Sequence, residues 1–440
     1  NVITMMKDIK KLKILIPIHL LPDDMSFHKL YFENVLAALR EKTSVEVFWL
    51  VYMHKKQKKI KNKFFETIDI HEFDNAGEVI KTINPDIVFA FAGGPQGQIH
   101  HALSLAAKSL DIPVVSIIIN DHIPEMKRSK YLKSNITRFF EDTESKDSEK
   151  KIFMGRGKFF LYKTMFLIKT LNFLKISKLE IIRTLIELLQ SFSSHTKAYG
   201  NFNSKYANTL HLLQSESLLK PLLDVGFKEE TLLVTGNPIY DKTLKKIQQF
   251  RTIKSEKVQV LLMTSAVVEH GIWTRDERDN VVEQVIRKCI ENSNEIELTI
   301  KIHPYNEDLI EYQKIIKKIN ADIKIEKDGD VLDFLEKTDV VIVFSSLSTS
   351  AYFTVIAKKP IIVCNFYDIH NDKLVDSELA IECKEPDSII PCIKNAISST
   401  KDSKKFDNFV KEELYKLDGD SGERISLALL HLIQNRKFND

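Results

Sequence analysis

Four short stretches of this chain carry residue types that can hold an anion or move a proton, and each follows a run of apolar residues. The first is Thr235-Gly236-Asn237-Pro238, behind Leu232-Leu233-Val234. Glycine lets backbone approach a ligand closely, and proline is well placed at the start of a helix. The second is Thr264-Ser265-Ala266-Val267-Val268-Glu269-His270-Gly271, behind residues 258–263, where a histidine beside a glutamate can act as general base or ligand contact. The third is His303-Pro304, behind residues 298–302; an imidazole at a strand end can donate to a phosphate oxygen or a sugar hydroxyl. The fourth is Ser345-Ser346-Leu347-Ser348-Thr349-Ser350, behind residues 340–344 and ahead of a helical stretch. Hydroxyls and unpaired first-turn N–H groups there form an anion site, because the helix dipole favours negative charge. Each stretch also has a plain structural use as turn, solvated loop or N-cap, and the residues alone leave both uses open.

The first half of the chain offers acid–base candidates. Asp121 beside His122 is a plausible pair for deprotonating an acceptor hydroxyl, and His28 is a further candidate base. Gly93-Gly94-Pro95-Gln96-Gly97 lacks the Lys-Ser/Thr of a phosphate-binding P-loop, and no GxGxxG or GxSxG occurs, which disfavours a nicotinamide enzyme and a serine hydrolase. Asp328-Gly329-Asp330 has the look of a metal-binding triplet, but it precedes a short helical run that Asp330 can cap, so no metal site is expected.

These loops need elements to hold them. Short apolar runs alternate with longer helical ones, the pattern of parallel sheets covered on both faces. One series runs through residues 13–18, 45–50, 87–91 and 114–118, and a second opens at Leu210 and continues through 232–234, 258–263, 296–302, 340–344 and 361–364. Residues 141–151 are charged and read as an exposed loop. Residues 151–190 are helical and basic, with Glu180 and Glu187 as their acids, and Phe159, Phe160, Tyr162 and Phe166 stand among Lys158, Lys163 and Lys169. That composition suits contact with an anionic membrane surface or packing on the first unit. The expected organisation is a first domain over 1–205 with a helical basic insertion at about 125–195, a second domain over 206–405, and C-terminal helices over 406–440. The fold class is α/β, with two Rossmann-like doubly wound parallel-sheet domains facing a cleft. In such sheets ligands bind outside the carboxyl ends of the strands.

Composition excludes several classes. The chain has 440 residues with 64 Lys+Arg against 61 Asp+Glu, a net charge of +3, too balanced for a nucleic-acid binder. Its four cysteines lie in the second half without CxxC spacing, so neither a disulfide scaffold nor a zinc site is expected. Mean hydropathy is −0.17, and no stretch reaches the roughly 18 uncharged apolar residues of a membrane span. The first apolar run reads as a strand rather than a signal segment, so a cytoplasmic protein, working at the inner face of the membrane, is expected.

The order of motifs carries a resemblance. Val234-Thr-Gly-Asn-Pro-Ile-Tyr-Asp241, Leu261-Leu-Met-Thr264, Lys301-Ile-His-Pro304, Asp339-Val-Val-Ile-Val-Phe-Ser-Ser346 and Lys359-Pro-Ile-Ile-Val363 together resemble the GT-B superfamily. The branch is the one holding UDP-N-acetylglucosamine 2-epimerases, capsule polysaccharide transferases and CDP-glycerol glycerophosphotransferases. The resemblance is clearest over about 200–400 and weaker over 10–120, where Ser26-Phe27-His28 and Phe32-Glu33-Asn34-Val35-Leu36 are similar to the acceptor-side first helix of GT-B glycosyltransferases. It implies a nucleotide-activated sugar donor, UDP- or CDP-linked, bound by the second domain, and a glycan or lipid-linked acceptor. His303, Ser345 and Ser346 would contact the donor's phosphates, Gly236 and Asn237 would line the cleft, and Thr264, Glu269, His270, Gly271, Ser348 and Thr349 would complete the donor side. His28, Asp121 or His122 would be the base of a metal-independent glycosyl transfer, with no cofactor. A sugar-nucleotide 2-epimerase, a CDP-glycerol-type polymer transferase and a non-catalytic scaffold are the alternatives. Phe353-Thr354 stands where many members have Glu-Ala. Ser345-Ser346 replaces the epimerases' Gly-Gly, and Glu269-His270-Gly271 matches their His-Arg-x-Glu-Asn poorly, which counts against epimerase chemistry.

Overall fold

The computed structural model describes residues 11–17, 26–52, 60–91, 97–118, 156–191, 209–224, 227–251, 253, 255–268, 272–304, 307–344, 349–367, 372–399 and 402–437. Its strands form two parallel sheets, one in each of two compact units, as the alternation of apolar runs predicts.

The first sheet holds β1 (Leu12–Pro17), β2 (Val45–Val51), β3 (Phe65–Asp69), β4 (Ile87–Phe91), β5 (Val114–Ile118), β6 (Leu210–Leu213) and β7 (Leu232–Val234) in the order β3-β2-β1-β4-β5-β6-β7. Alternate residues of one strand serve opposite faces. Ile14 and Ile16 of β1 pack with Phe32, Val35 and Leu39 of the helix Ser26–Lys42 and with Ile425, Leu429 and Ile433 of the helix Ser421–Lys437. Leu15 faces the other way, toward the helices Ala76–Ile83, Gly97–Lys108 and Arg156–Phe173.

The second sheet holds β8 (Val258–Met263), β9 (Ile296–Lys301), β10 (Lys324–Glu326), β11 (Val340–Val343), β12 (Ile361–Cys364) and β13 (Ile381–Cys383) in the order β10-β9-β8-β11-β12-β13. Every residue of β11 and β12 is buried, which is why those runs read as continuous Val/Ile rather than alternating. The helices Arg275–Glu291, Leu309–Lys318 and Ile389–Ser398 cover one face through Val285, Ile286, Tyr312, Ile316 and Ile393. Thr274 starts the first of these with a capping box closed by Glu277.

The two sheets share a register device. In each, an aspartate immediately before one strand accepts the N–H of the second residue of the strand beside it: Asp86 from Lys13 and Asp339 from Gln259, both at 2.8 Å. The return bonds run from the aspartate N–H groups to the Lys13 and Gln259 carbonyls at 2.9 and 2.8 Å. The strands so locked, β1 with β4 and β8 with β11, are the pairs at which each sheet reverses its winding direction.

The organisation differs from the sequence reading at one boundary. The stretches 210–213 and 232–234 are strands, but they extend the first sheet, since β6 pairs with β5 and β7 with β6. The first unit therefore continues to Asp241 and resumes at Lys411, instead of ending at 205, and the second runs over 242–410. The basic segment follows the packing alternative. Phe166 is buried and Tyr162 packs beside Tyr52 and His71, so these aromatics belong to the core and do not form a lipid-facing surface. The exposed apolar residues of this segment include Leu161, Met165, Leu179, Ile182 and Ile186. No helix among the described residues is long and apolar enough to cross a membrane.

Candidate functional site

A doubly wound sheet opens a crevice at the carboxyl ends of its strands, at the point where the strand order reverses. In the second sheet that point lies between β8 and β11, with β9 next in line. Thr264 follows β8 directly, and its N–H continues the ladder to the Lys301 carbonyl of β9 at 3.0 Å. His303 stands two residues beyond β9 and is half-buried.

A buried carboxylate ties these strand ends together. The Glu307 side chain accepts the His303 backbone N–H at 2.7 Å and the hydroxyl hydrogens of Thr264 and Tyr312. Thr264 Oγ1 also accepts the His303 N–H, at 3.1 Å, so that donor is shared between two oxygens. Glu307 is only 2% exposed, and its own carbonyl accepts Lys327 Nζ at 2.7 Å, which joins β10 to the same cluster. Burial, and then the neighbouring Glu307 charge, push the Tyr312 phenol well above its ordinary pKa, so it remains an O–H donor. Behind the ring, the Arg278 guanidinium lies 4.9 Å from the ring centroid and is anchored to Glu311 at 2.8 Å and Asp279 at 2.7 Å.

A second group at the same strand ends is aromatic. Trp273, from the segment after β8, lies 5.2 Å from Phe344, which follows β11, and 5.9 Å from Tyr367, which follows β12. Its indole N–H is buried without an acceptor among the described residues. Polar and aromatic groups therefore converge where the topology expects a ligand.

No family model matches the chain, and no curated protein matches it by sequence. Solved structures do match in fold. The UDP-GlcNAc 2-epimerase from Methanocaldococcus jannaschii is 15% identical, with a TM-score of 0.54 over 96% of this chain and 99% of that one. The UDP-GlcNAc 2-epimerase from Neisseria meningitidis bound to UDP-GlcNAc is 13% identical, with a TM-score of 0.54 over 96% and 100%. The S. aureus MnaA-UDP co-structure is 14% identical, with a TM-score of 0.52 over 97% and 98%. The chain has the GT-B fold.

Within the GT-B fold the expected site residues part company. Thr264 and His303 are brought together by Glu307. Thr349 is half-buried at the first turn of the helix Thr349–Ile356 that follows β11. Asp121, His122, Glu269, His270, Gly271, Ser345, Ser346 and Ser348 lie outside the described residues, as does the side chain of His28 in its helix.

Gly236 and Asn237 belong to the first unit, not to the second-unit rim where the sequence reading put them. Gly236 has φ +81°, and a Cβ there would lie 2.7 Å from Ser421 Oγ, so the close approach that glycine permits is to the chain's own terminal helix. Asn237 is buried; its side chain accepts the Ile239 N–H at 3.1 Å and donates to Gln214 at 2.6 Å. Asp241 accepts the N–H groups of Gly422 at 2.7 Å and Ser421 at 3.2 Å, and Arg424 Nε donates to the Thr235 carbonyl at 2.8 Å. The Thr-Gly-Asn-Pro-Ile-Tyr-Asp motif thus clasps and caps the helix Ser421–Lys437. Asp330 takes the capping role anticipated for it, accepting the Leu332 N–H at 3.0 Å and pairing with Lys246.

Sequence reasoning missed Glu307. The available signal was its place four residues after His303, but it sits in Asn306-Glu307-Asp308, ahead of a helix, where acidic residues are commonplace for dipole reasons.

Proposed function

We propose that this chain is a nucleotide-sugar-dependent glycosyltransferase. Its second unit would hold the donor's nucleotide diphosphate, UDP- or CDP-linked, at the ends of β8, β9 and β11. The observation that carries the reading is the Thr264–Glu307–His303 cluster, which fixes an imidazole-bearing loop beside the switch point of a GT-B sheet. The leaving diphosphate is then stabilised by groups already in place, the form of electrostatic assistance that needs no reorganisation at the moment of bond cleavage. The acceptor would be a glycan or lipid-linked hydroxyl, with His28, Asp121 and His122 the candidates for its base.

Sugar-nucleotide 2-epimerisation is the second reading, favoured by one observation: the structures above that share the fold with TM-scores over 0.5 are described as 2-epimerases or a UDP complex. The two readings separate on product. An epimerase converts its sugar nucleotide without an acceptor, whereas a transferase releases nucleotide only when an acceptor is supplied.

The first test is a thermal-shift panel of UDP, GDP, CDP, CMP and dTDP, with and without Mg²⁺. A ligand that binds only the native state raises its melting temperature by mass action. The expected result is a shift with UDP or CDP, indifferent to metal and abolished by His303→Ala. No shift with any nucleotide at millimolar concentration refutes the donor site.

A further inference from the structure

We infer that Glu307 is a positioning residue for the donor's phosphates, acting through His303; the inference rests on the donor-binding reading above. A backbone N–H cannot rotate away from an unfavourable partner, so the position of the His303 N–H is set by whatever accepts it. Here that is Glu307 together with Thr264 Oγ1. The three donors on the Glu307 carboxylate come from three different places, the end of β8, the end of β9 and the helix Leu309–Lys318. One buried side chain therefore sets the spacing between two strand ends that carry candidate ligand groups. Its backing is rigid, because the Tyr312 ring that donates to it is covered by Arg278, itself held by Glu311 and Asp279.

This geometry has a chemical consequence. The His303 N–H is consumed inside the cluster, so that N–H is not the group that would meet an anion. On this inference phosphate recognition at this strand end depends on where His303 is held rather than on its N–H.

Two substitutions separate position from charge. Glu307→Ala removes the acceptor and frees the loop. Glu307→Gln keeps it: the amide oxygen can accept the His303 N–H while the amide nitrogen donates to the Tyr312 oxygen, which is able to accept. Isothermal titration with UDP and uridine, and with CDP and cytidine, reads the diphosphate's share of binding. Glu307→Ala is expected to weaken diphosphate binding about tenfold while leaving the nucleoside unchanged. Glu307→Gln is expected to restore it to within about threefold. Thr264→Val, which deletes one donor and keeps the shape, covers the case in which the alanine variant does not fold; its expected loss is roughly threefold and again confined to the diphosphate. An unchanged diphosphate-to-nucleoside ratio in Glu307→Ala or Thr264→Val overturns the inference. So does a glutamine variant as weak as the alanine one, which would make the charge the active property. A native protein that binds no nucleotide brings down the donor-binding reading itself, a result distinct from a native protein that binds and variants that do not differ from it.

Discussion

Acidification should unfold the first unit well before the second, through histidines that the fold keeps uncharged: His100, held down to about 4, and the two more strongly shifted rings of His101 and His211. His101 of the helix Gly97–Lys108 and His211 of β6 are buried, and desolvation pushes both imidazoles down from 6.5 to about 3, with the neighbouring His100 adding to it. His211 Nδ1 meets Ser116 Oγ at 2.7 Å across the β5–β6 pair. In the unfolded chain both rings take up a proton below about pH 6.5; in the native state neither does until far lower. Stability is therefore complete above pH 6.5 and falls as the pH drops toward 3, because the unfolded state binds more protons. At pH 5 each ring contributes a loss of about 2 kcal/mol, and the pair about 4, a large part of the 5–15 kcal/mol of a typical domain. For a domain of 150–250 residues that corresponds to a fall in Tm of roughly 10 °C. The two tryptophans make the assay selective: Trp49 lies in the first core and Trp273 in the second. Melts of Trp273→Phe between pH 7 and 5 report the first unit through Trp49. His211→Gln should lower stability at pH 7 yet shallow the pH slope by about one proton. A Trp49 midpoint that stays level from pH 7 to 5, or a native slope in His211→Gln, refutes the reasoning.

Gly236→Ala should destabilise the first unit by about 2 kcal/mol or more, since it adds a left-handed backbone penalty of about 1–2 kcal/mol to a collision with Ser421. Trp49 melts would show it, and nucleotide binding by the second unit should survive; unchanged stability would refute the clasp. Asp339→Ala removes the acceptor of the Gln259 N–H and should lower the second unit's stability by about 1 kcal/mol, read as a fall in the Trp273 midpoint with Trp49 unaffected.

The parts of the fold that sequence made legible are those that burial on two faces writes locally. Runs such as 114–118 and 340–343 are apolar throughout because every residue is covered, and their alternation with helices is enough for a parallel α/β plan. The strands that went unread, β3, β10 and β13, all lie at sheet edges, where they are short and carry charged residues such as Glu66, Lys324 and Glu382. Residues 210–213 show the other limit. Their strand character is local, but nothing nearby says which sheet they join, a choice made by pairing with a strand some hundred residues earlier. At the site, His303 was visible from its place after a strand, whereas Glu307 looked like one more acid before a helix. Gly236 was correctly read as a point of close approach, with the wrong object approaching it.

The helix Thr349–Ile356 bears on which chemistry the second unit can support. The resemblance drawn from the sequence would put Glu-Ala at this place, with the glutamate on a ribose; here the pair is Phe353-Thr354. The change is not the loss of one contact from an otherwise intact surface. Phe353 is buried, Thr354 is wholly covered, and the Thr354 hydroxyl is spent inside the helix on the Ser350 carbonyl at 2.9 Å. Residues 351–356 are all buried, so this turn of the helix has become core. A glutamate put back at 353 would bury a charge, which costs several kcal/mol without a partner, instead of recovering a hydroxyl contact. On the donor-binding proposal, affinity would then come from the strand ends, Thr264, His303 and the first turn at Thr349 among them, and not from an acid at 353 or 354. On that proposal recognition would rest on the diphosphate more than on the ribose, which is why a comparison of diphosphates with nucleosides tests it more sharply than a search among bases.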